Sequence, residues 1–269
     1  AVQSATGSEP VPEVRYAYNG DVSLAYQSYG EGPVEIIMTG WLSHIELTWQ
    51  QREVAAFLRR LGTLGRVVLY DIRGVGLSDR NIVQCTLEDR LDDLAAVQAA
   101  AGLRRPVLYS FGVGNQASLA YAALHPERVG GLMLYSPAPA MKQEPGADGT
   151  DVFDAFEALA RVEWGRTSGV LNRLAYPSRA HDQSLMEWAV FYQRMVISPS
   201  CMVTLTRSLR GLDVRAIAPL VRAPTLVTHR LEDPVIPIAL GRTLAEHLPE
   251  ARFVELSGGD AVPAFGDQE

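Results

Sequence analysis

The chain has 269 residues, 47% of them hydrophobic, and a formal net charge of −7 with a pI near 5.3. This length and composition predict a globular protein with a large core, built either as one α/β domain with an insertion or as two small domains. The acidic balance argues against a nucleic-acid-binding surface, and no apolar stretch is long enough to span a bilayer.

The chain has only two cysteines, Cys85 and Cys201, and they lie far apart in sequence. They form no disulfide framework and no metal-ligand spacing, so we expect two free thiols, no metal site and a cytoplasmic location. The first residues, 1–12, are polar and lack the apolar segment of a signal peptide. We therefore expect them to form a disordered lead-in.

The first half of the chain alternates strand and helix patterns. Asn19-Gly20-Asp21 predicts a hairpin turn between strands at 14–18 and 22–29. Thr86 and Asp89 form a capping box, which predicts the start of a helix that runs to about 101. Further strands are expected at 34–38, 67–70, 107–109 and 132–135, and further helices at 51–61 and 113–124. This alternation indicates a parallel sheet with right-handed crossovers.

The alternation breaks between about 141 and 220. This segment contains helix patterns at 151–162, 184–197 and 202–209 and no clear strand. Strand patterns return at 225–228 and 253–256, with a helix at 238–247 between them. We therefore expect an α/β core formed by 13–140 plus 221–269, and a helical lid formed by 141–220 over the carboxyl edge of the sheet, where open α/β sheets bind ligands.

The segment 106–115 predicts a buried strand, a sharp turn and the start of a helix. This is the context of a nucleophile elbow, written G-x-S-x-G, in which the turn is too tight for large residues two before and two after the nucleophile. Ser110 and Gly114 are small enough only if position 112 is the nucleophile. Position 112 is Gly112, which has no side chain that could attack a substrate.

Several motifs together resemble the α/β-hydrolase superfamily over nearly the whole chain. They are Thr39-Gly40-Trp41, the segment 71–79 (DIRGVGLSD), the elbow at 110–114, His125-Pro126 with the residues to 129, the segment 232–237 (EDPVIP), and Gly258-Gly259-Asp260-Ala261. The segments 40–47 and 73–80 are similar, more narrowly, to the hydrolase-like domains that precede class III adenylyl cyclase domains in bacteria. The resemblance implies an α/β-hydrolase fold, with a mostly parallel sheet flanked by helices and an inserted helical lid.

The resemblance also implies a catalytic triad of serine, acid and histidine in that chain order. Asp233 matches the acid, whereas Gly112 and Ala261 occupy the positions of the serine and the histidine. Without the serine there is no covalent step, and without the histidine there is no proton shuttle. Two replacements inside well-matched motifs predict a site without ordinary hydrolase activity.

The oxyanion hole of such a site is made of backbone N–H groups, which the replacements leave in place. The resemblance places these donors at Val113, after the elbow, and at Trp41, after the third strand. The start of a helix at Val113 also favours an anion or a carbonyl oxygen. We expect Gly112, Ser110 and His44 to lie near the same ligand.

Three functions remain open at this point. The first is a catalytically degenerate domain with a sensory role, which binds a small, mostly apolar ligand through a carbonyl or carboxylate and needs no cofactor. Its partners would be that ligand and, as the resemblance implies, a C-terminal effector domain in a longer chain, but neither nucleic acid nor membrane. The second is a lyase, isomerase or cyclase that uses the oxyanion hole with Asp233 or His44 as a base. The third is an esterase whose nucleophile has moved to Ser110.

Other residues have mainly structural interpretations. Asp71, Arg73 and Asp79 are expected to brace the turn after the fourth strand, and Asp233 to brace its own loop. His229 is expected to pack beside Asp233. Large aromatic residues near the expected lid could either fill the core or line a ligand cavity, and these are Trp41, Trp49, Trp164, Trp188, Phe191 and Tyr192.

Overall fold

The computed structural model describes residues 10–81, 85–112, 114–140, 152–164 and 168–266. The strands are β1 (Arg15–Asn19), β2 (Val22–Tyr29), β3 (Val34–Thr39), β4 (Gly65–Tyr70), β5 (Val107–Phe111), β6 (Gly131–Tyr135), β7 (Thr225–Arg230) and β8 (Ala251–Leu256). The α-helices are α1 (Arg52–Gly62), α2 (Leu87–Ala100), α3 (Gly114–Leu124), α4 (Val152–Glu163), α5 (Ser168–Ala175), α6 (Gln183–Val196), α7 (Pro199–Leu209) and α8 (Ile238–His247).

The eight strands form one sheet in the order β1-β2-β4-β3-β5-β6-β7-β8. β2 pairs antiparallel with both β1 and β4, and all other neighbours pair parallel. The parallel pairing follows from the helices that connect successive strands, because a crossover helix returns the chain to the same end of the sheet. The predicted α/β-hydrolase architecture is confirmed.

Apolar side chains that alternate along the strands build two cores, one on each face of the sheet. Ile37, Val68 and Leu108 join a large core under α2, α3 and α8, whereas their neighbours Ile36 and Val67 join a smaller core under α1. This period of two is what a parallel sheet covered on both faces requires.

The sequence patterns locate most of these elements within one or two residues. Thr86 and Asp89 form the predicted capping box, in which each side chain bonds the other residue's backbone N–H. The predicted hairpin turn lies at Gly20, whose φ of 58° favours glycine. The short helix α5, of eight residues, was not predicted from the sequence.

Four helices, α4 to α7, occupy the chain between β6 and β7 and form what we call the helical insert (152–209). The insert is anchored to the turn after β4, where Gly76 N–H donates to Val196 O at 2.8 Å.

Of the expected lead-in at 1–12, residues 1–9 lie outside the described residues. The carbonyl of Pro12 accepts a hydrogen bond from Gln27 Nε2 on β2 at 2.6 Å.

One face of the sheet has an open groove of about 470 Å³ beside α1. Its floor includes Tyr109, Met133, Leu226 and Leu256. Over the described part of the chain, no helix combines the length and the apolar character that crossing a bilayer requires.

Candidate functional site

The turn between β5 and α3 has the backbone geometry of a nucleophile elbow. Gly112 adopts a φ of +56°, in the left-handed region that side-chain-bearing residues rarely adopt. Apart from the chain neighbours of Gly112, no described heavy atom lies within 4 Å of the point where a Cβ would stand. The elbow therefore has room for a side chain at this position but carries none.

Small residues flank Gly112 for steric reasons. A Cβ on Gly114 would lie 2.9 Å from Thr39 O, so this position requires glycine. Asn115 stabilises the turn, because its Nδ2 donates to Gly112 O at 2.8 Å and to Tyr135 O at 3.0 Å. The sequence analysis did not identify Asn115 as a residue of the site. The one sequence feature that could have indicated it is a polar side chain in the first turn of a mostly apolar helix.

Ser110 lies inside the elbow, beneath the turn. Its side chain is fully buried, and its Oγ donates to Asn115 Oδ1 at 2.8 Å. A nucleophile must reach a substrate, and this hydroxyl is sealed beneath the turn. The structure therefore does not support the predicted position of Ser110 at the ligand, and it favours the interpretation of Ser110 as a residue chosen for its size.

Asp233 braces the loop after β7, as its structural interpretation predicts. Its Oδ1 accepts hydrogen bonds from the backbone N–H groups of Val235, at 2.8 Å, and Ile236, at 3.0 Å. Its Oδ2 is buried and has no hydrogen-bond partner among the described residues. The side chain of Asp233 is inaccessible to solvent.

His229 lies beside Asp233 and is also completely buried. Its Nε2 is 2.8 Å from Ile236 O and 3.8 Å from Asp233 Oδ2. Burial lowers the pKa of His229, which favours the neutral ring. A neutral ring whose Nε2 donates to Ile236 O helps to hold the Asp233 loop, so packing is its main role.

The loop that contains Ala261 lies against the Asp233 loop and the helical insert. Glu232 N–H donates to Gly258 O at 3.0 Å, and Ala261 N–H donates to Ala175 O at 2.9 Å. Asp260, directly before Ala261, accepts hydrogen bonds from Ser178 N–H and Ser178 Oγ at 3.2 and 2.9 Å. This loop therefore connects the acid position, the vacant histidine position and the insert.

The loop after β3 carries the other expected oxyanion donor, Trp41. Its neighbours Gly40 and Leu42 both line a cavity, and Gly40 packs against the ring of Phe111, which would lie 2.7 Å from a Cβ at that position. Trp41 itself is half-buried and packs against the large core. Val113, the first expected donor, lies outside the described residues.

His44 is buried behind the same loop. Its backbone N–H donates to the hydroxyl of Tyr192 on α6 at 3.0 Å, which ties the loop to the insert. Burial and the nearby Arg80 lower the pKa of His44. His44 is not among the residues that line the cavity, although Ser43 and Ile45 are.

The cavity is an apolar space of about 110 Å³ at the carboxyl ends of β3 and β5, under the helical insert. Its wall combines the carboxyl ends of β3, β4 and β5 with the loop after β3, the helix α1, the insert and the loop after β8. The lining residues are Met38, Gly40, Leu42, Ser43, Ile45, Thr48, Val54, Phe57, Leu58, Leu69, Tyr70, Phe111, Tyr176, Trp188, Tyr192, Val262, Pro263, Ala264 and Phe265. Of the aromatic residues considered in the sequence, only Trp188 and Tyr192 line it.

The cavity adjoins the elbow through Phe111, which precedes Gly112. It adjoins the loop after β8 through Val262, which follows Ala261. The groove beside α1 has a larger volume, but its floor is formed by strand residues on one face of the sheet. Ligands of open α/β sheets bind outside the carboxyl ends of the strands. We therefore take the smaller cavity as the candidate site.

Asp71 holds the wall of this cavity in place. Its carboxylate accepts hydrogen bonds from Ile45 N–H, at 3.2 Å, and from Leu77 N–H, at 2.9 Å. It thereby joins the loop after β3 to the turn after β4. Burial raises the pKa of Asp71 to about 6, although these hydrogen bonds oppose the shift.

This shift predicts a pH-dependent difference between the native protein and Asp71→Asn. The folded-state pKa lies above the unfolded value of about 3.9, so the carboxyl favours folding below that value and loses this contribution as the pH rises through about 6. Asparagine lacks this proton linkage. The native protein should therefore gain stability relative to the variant as the pH falls from about 7 to about 5, measured by urea unfolding.

Asp79→Asn is the matched control, because Asp79 belongs to the same turn but is exposed. This variant measures what an aspartate-to-asparagine change in the same turn does to stability, and the profile of Asp71→Asn is compared with it. A constant difference between native protein and Asp71→Asn over the same pH range would contradict the prediction.

No group of three or more histidine, cysteine, aspartate or glutamate residues within the described ranges is arranged to hold a metal ion. The candidate site therefore consists of an elbow, an apolar cavity and a braced carboxylate.

Comparison with known proteins places this site in a family. A sequence profile of the alpha/beta hydrolase fold matches residues 36–265. A Caulobacter protein provisionally named a carbamate hydrolase is 28% identical over 247 residues, which cover 87% of each chain. The pimeloyl-[acyl-carrier protein] methyl ester esterase of Chromobacterium violaceum is 24% identical, covering 92% of this chain and 94% of its own.

The crystal structure of an enol-lactonase from Burkholderia xenovorans superposes with a TM-score of 0.77 at 23% identity, covering 92% of this chain and 93% of the lactonase. At this identity the likeness concerns the fold alone. The profile match spans most of the sequence and includes Gly112, Asp233 and Ala261. The chain therefore belongs to the alpha/beta hydrolase fold family.

Proposed function

We propose that this chain is a non-hydrolytic member of its family, which binds a small, mostly apolar ligand that contains a carbonyl or carboxylate. The observation that carries the proposal is the elbow itself. It retains the left-handed turn of a nucleophile at Gly112 but has no side chain there. Ala261 at the histidine position removes the group that would activate a nucleophile or a water molecule.

The cavity supports binding as the remaining role. It lies beside the elbow, and its lining is predominantly apolar and aromatic, as in many small-molecule sites. A ligand whose apolar part fills the cavity would have its carbonyl or carboxylate near the turn at Gly112. The N–H groups of the elbow and of the loop after β3 are the donors that we assign to this group.

The two enzymatic alternatives have weaker support. Asp233 is sealed from solvent and already binds two backbone N–H groups. His44 lies behind the cavity wall, and its Nδ1 faces Leu47 N–H at 3.4 Å. Ser110 is buried inside the elbow. None of the three is placed to act as a base or nucleophile on a ligand in the cavity.

The relatives are named as hydrolases and esterases, and the present chain shares their fold. The proposal separates this chain from that activity on the ground that Gly112 and Ala261 stand where the family motif implies a serine and a histidine. In a longer cytoplasmic protein, occupancy of the cavity would bias a neighbouring effector domain, which gives the domain a sensory role.

The test combines covalent labelling with a binding measurement. We expect no adduct by intact mass after treatment with a fluorophosphonate, no hydrolysis of short p-nitrophenyl esters, and saturable binding of 2-hexanone by ligand-observed NMR. Val54 lines the cavity from α1, so Val54→Phe should fill the cavity and abolish binding. Leu124→Phe is the matched control, since Leu124 is exposed at the end of α3.

A fluorophosphonate adduct on the native chain would overturn the proposal, and the labelled residue would identify the true nucleophile. Binding of 2-hexanone that survives in Val54→Phe would place the ligand outside the cavity.

A further inference from the structure

We infer that the cavity is built for a single uncharged aromatic ring, so that the ligand is an aryl carbonyl compound. This inference rests on the proposed binding function and narrows it to a ligand class. Seven of the nineteen lining residues are aromatic, compared with 8% of the whole chain. They are Phe57, Tyr70, Phe111, Tyr176, Trp188, Tyr192 and Phe265.

The aromatic residues of the wall contact one another in both stacked and tilted arrangements. Trp188 and Tyr192 stack with centroids 4.7 Å apart and an interplanar angle of 23°. Tyr176 and Phe265 meet with centroids 4.6 Å apart at a tilt of 49°. Aromatic rings attract one another through offset-stacked and edge-to-face contacts, because their faces are negative and their edges positive. A saturated ring of the same size would fill the space without these contacts.

The size of the cavity limits the ligand to one ring. The cavity measures about 110 Å³. An apolar protein cavity of about 150 Å³ can hold one benzene molecule. A fused bicyclic ring would therefore need displacement of the wall, which includes strand ends of the sheet, α1, the insert and the loop after β8.

The lining also argues against a ligand whose aromatic ring carries a charged substituent. None of the described lining residues is Asp, Glu, Lys, Arg or His. The carboxylate of Asp71, which is absent from the lining, already accepts the Ile45 and Leu77 N–H groups. Burial of an unpaired charge in such a site costs more free energy than the apolar contacts of the cavity supply.

Residues with hydroxyl groups interrupt the apolar wall, and two of them, Tyr192 and Thr48, form a polar pair. The hydroxyl of Tyr192 accepts the His44 N–H and lies 3.3 Å from Thr48 Oγ1. Because Tyr192 and Thr48 both line the cavity, this pair would tolerate at most one small hydrogen-bonding substituent on the ring.

The experiment compares acetophenone with three ketones that each change one property. Cyclohexyl methyl ketone keeps the shape and removes the aromatic character, 2-acetonaphthone adds a second ring, and 4-acetylbenzoate adds a charge on the far side of the ring. We expect acetophenone to bind about 3- to 10-fold more tightly than the cyclohexyl compound. The other two should show no measurable binding at the same concentrations by ligand-observed NMR.

Trp188→Leu should remove most of the preference for acetophenone over the cyclohexyl ketone. The matched control is Trp164→Leu, because Trp164 is half-buried against the large core and does not line the cavity. This control should keep the preference.

The outcomes separate this inference from the proposed function. Equal binding of acetophenone and the cyclohexyl ketone would overturn the aromatic class and leave the binding function standing. Tight binding of 2-acetonaphthone would overturn the single-ring limit. If neither these ketones nor 2-hexanone binds the native chain, the proposed function fails as well.

Discussion

Gly112→Ser combined with Ala261→His is expected to convert the chain into a measurable esterase. A serine at 112 has open space for its Oγ and already has the backbone φ of a nucleophile. A histidine at 261 would extend from the loop that contacts the Asp233 loop through Glu232 and Gly258. We expect p-nitrophenyl acetate hydrolysis to rise roughly 10²- to 10⁴-fold above the native protein.

The single variants are the controls for this gain. Gly112→Ser alone has a nucleophile without a base, and Ala261→His alone has a base without a nucleophile, so each should remain near the native background. The serine should also lower stability by about 1–2 kcal/mol, because a side chain in the left-handed region is strained. Addition of Asp233→Asn to the double variant should lower the gain, since the histidine would lose the group that orients it.

A folded double variant with neither turnover nor a fluorophosphonate adduct would contradict this prediction. It would mean that the loop at 258–261 does not bring a histidine to Asp233. Circular dichroism and urea unfolding separate this result from a failure to fold.

Gly241→Ala is expected to lower the stability of the protein strongly, although the substitution is conservative. A Cβ at Gly241 would lie 2.2 Å from Nδ1 of His229, which is fully buried and cannot move aside. We expect a loss of about 2–3 kcal/mol in the free energy of unfolding, measured with urea. The displaced His229 would also disturb its contact with Ile236 O and hence the Asp233 loop.

Gly211→Ala is the matched control, because no described heavy atom lies within 4 Å of a Cβ at that position. It should change stability by no more than about 0.5 kcal/mol.

A double-mutant cycle tests directly whether the clash with His229 is the cause. His229→Ala removes the ring, so Gly241→Ala should cost far less in that background. An equal cost in both backgrounds would contradict the assigned cause.

The three motif positions of the site could be located from the sequence because each lies in a short local pattern. Gly112 is identified by the strand-turn-helix around it, and Asp233 by its position after the strand at 225–228. Ala261 is identified by the Gly-Gly-Asp that precedes it. The roles of Ser110 and His229 were also anticipated in part. Their neighbours in the chain already favoured a residue chosen for its size and a packed ring.

The cavity could not be derived in this way. Tyr176 and Trp188 of the insert meet Val54 of α1 and Phe265 of the last loop, although more than 70 residues separate each of these segments from the next. A local hydrophobic pattern in the sequence does not indicate contacts between such distant segments. The sequence therefore suggested which aromatic residues to consider but could not separate Trp188 and Tyr192 from Trp49 and Phe191.

The sequence by itself determined the order of most strands and helices and the family, and it is the basis for the prediction that Gly112 and Ala261 replace two catalytic side chains. These depend on hydrophobic period, capping and turn residues that act over a few positions. Only the tertiary structure decided that Asp71 braces the cavity wall, that Asp233 is sealed, and that the space beside the elbow is aromatic and small. The reason is physical: burial, pKa and cavity volume are set by contacts between distant segments, which exist only once the sheet has brought them together.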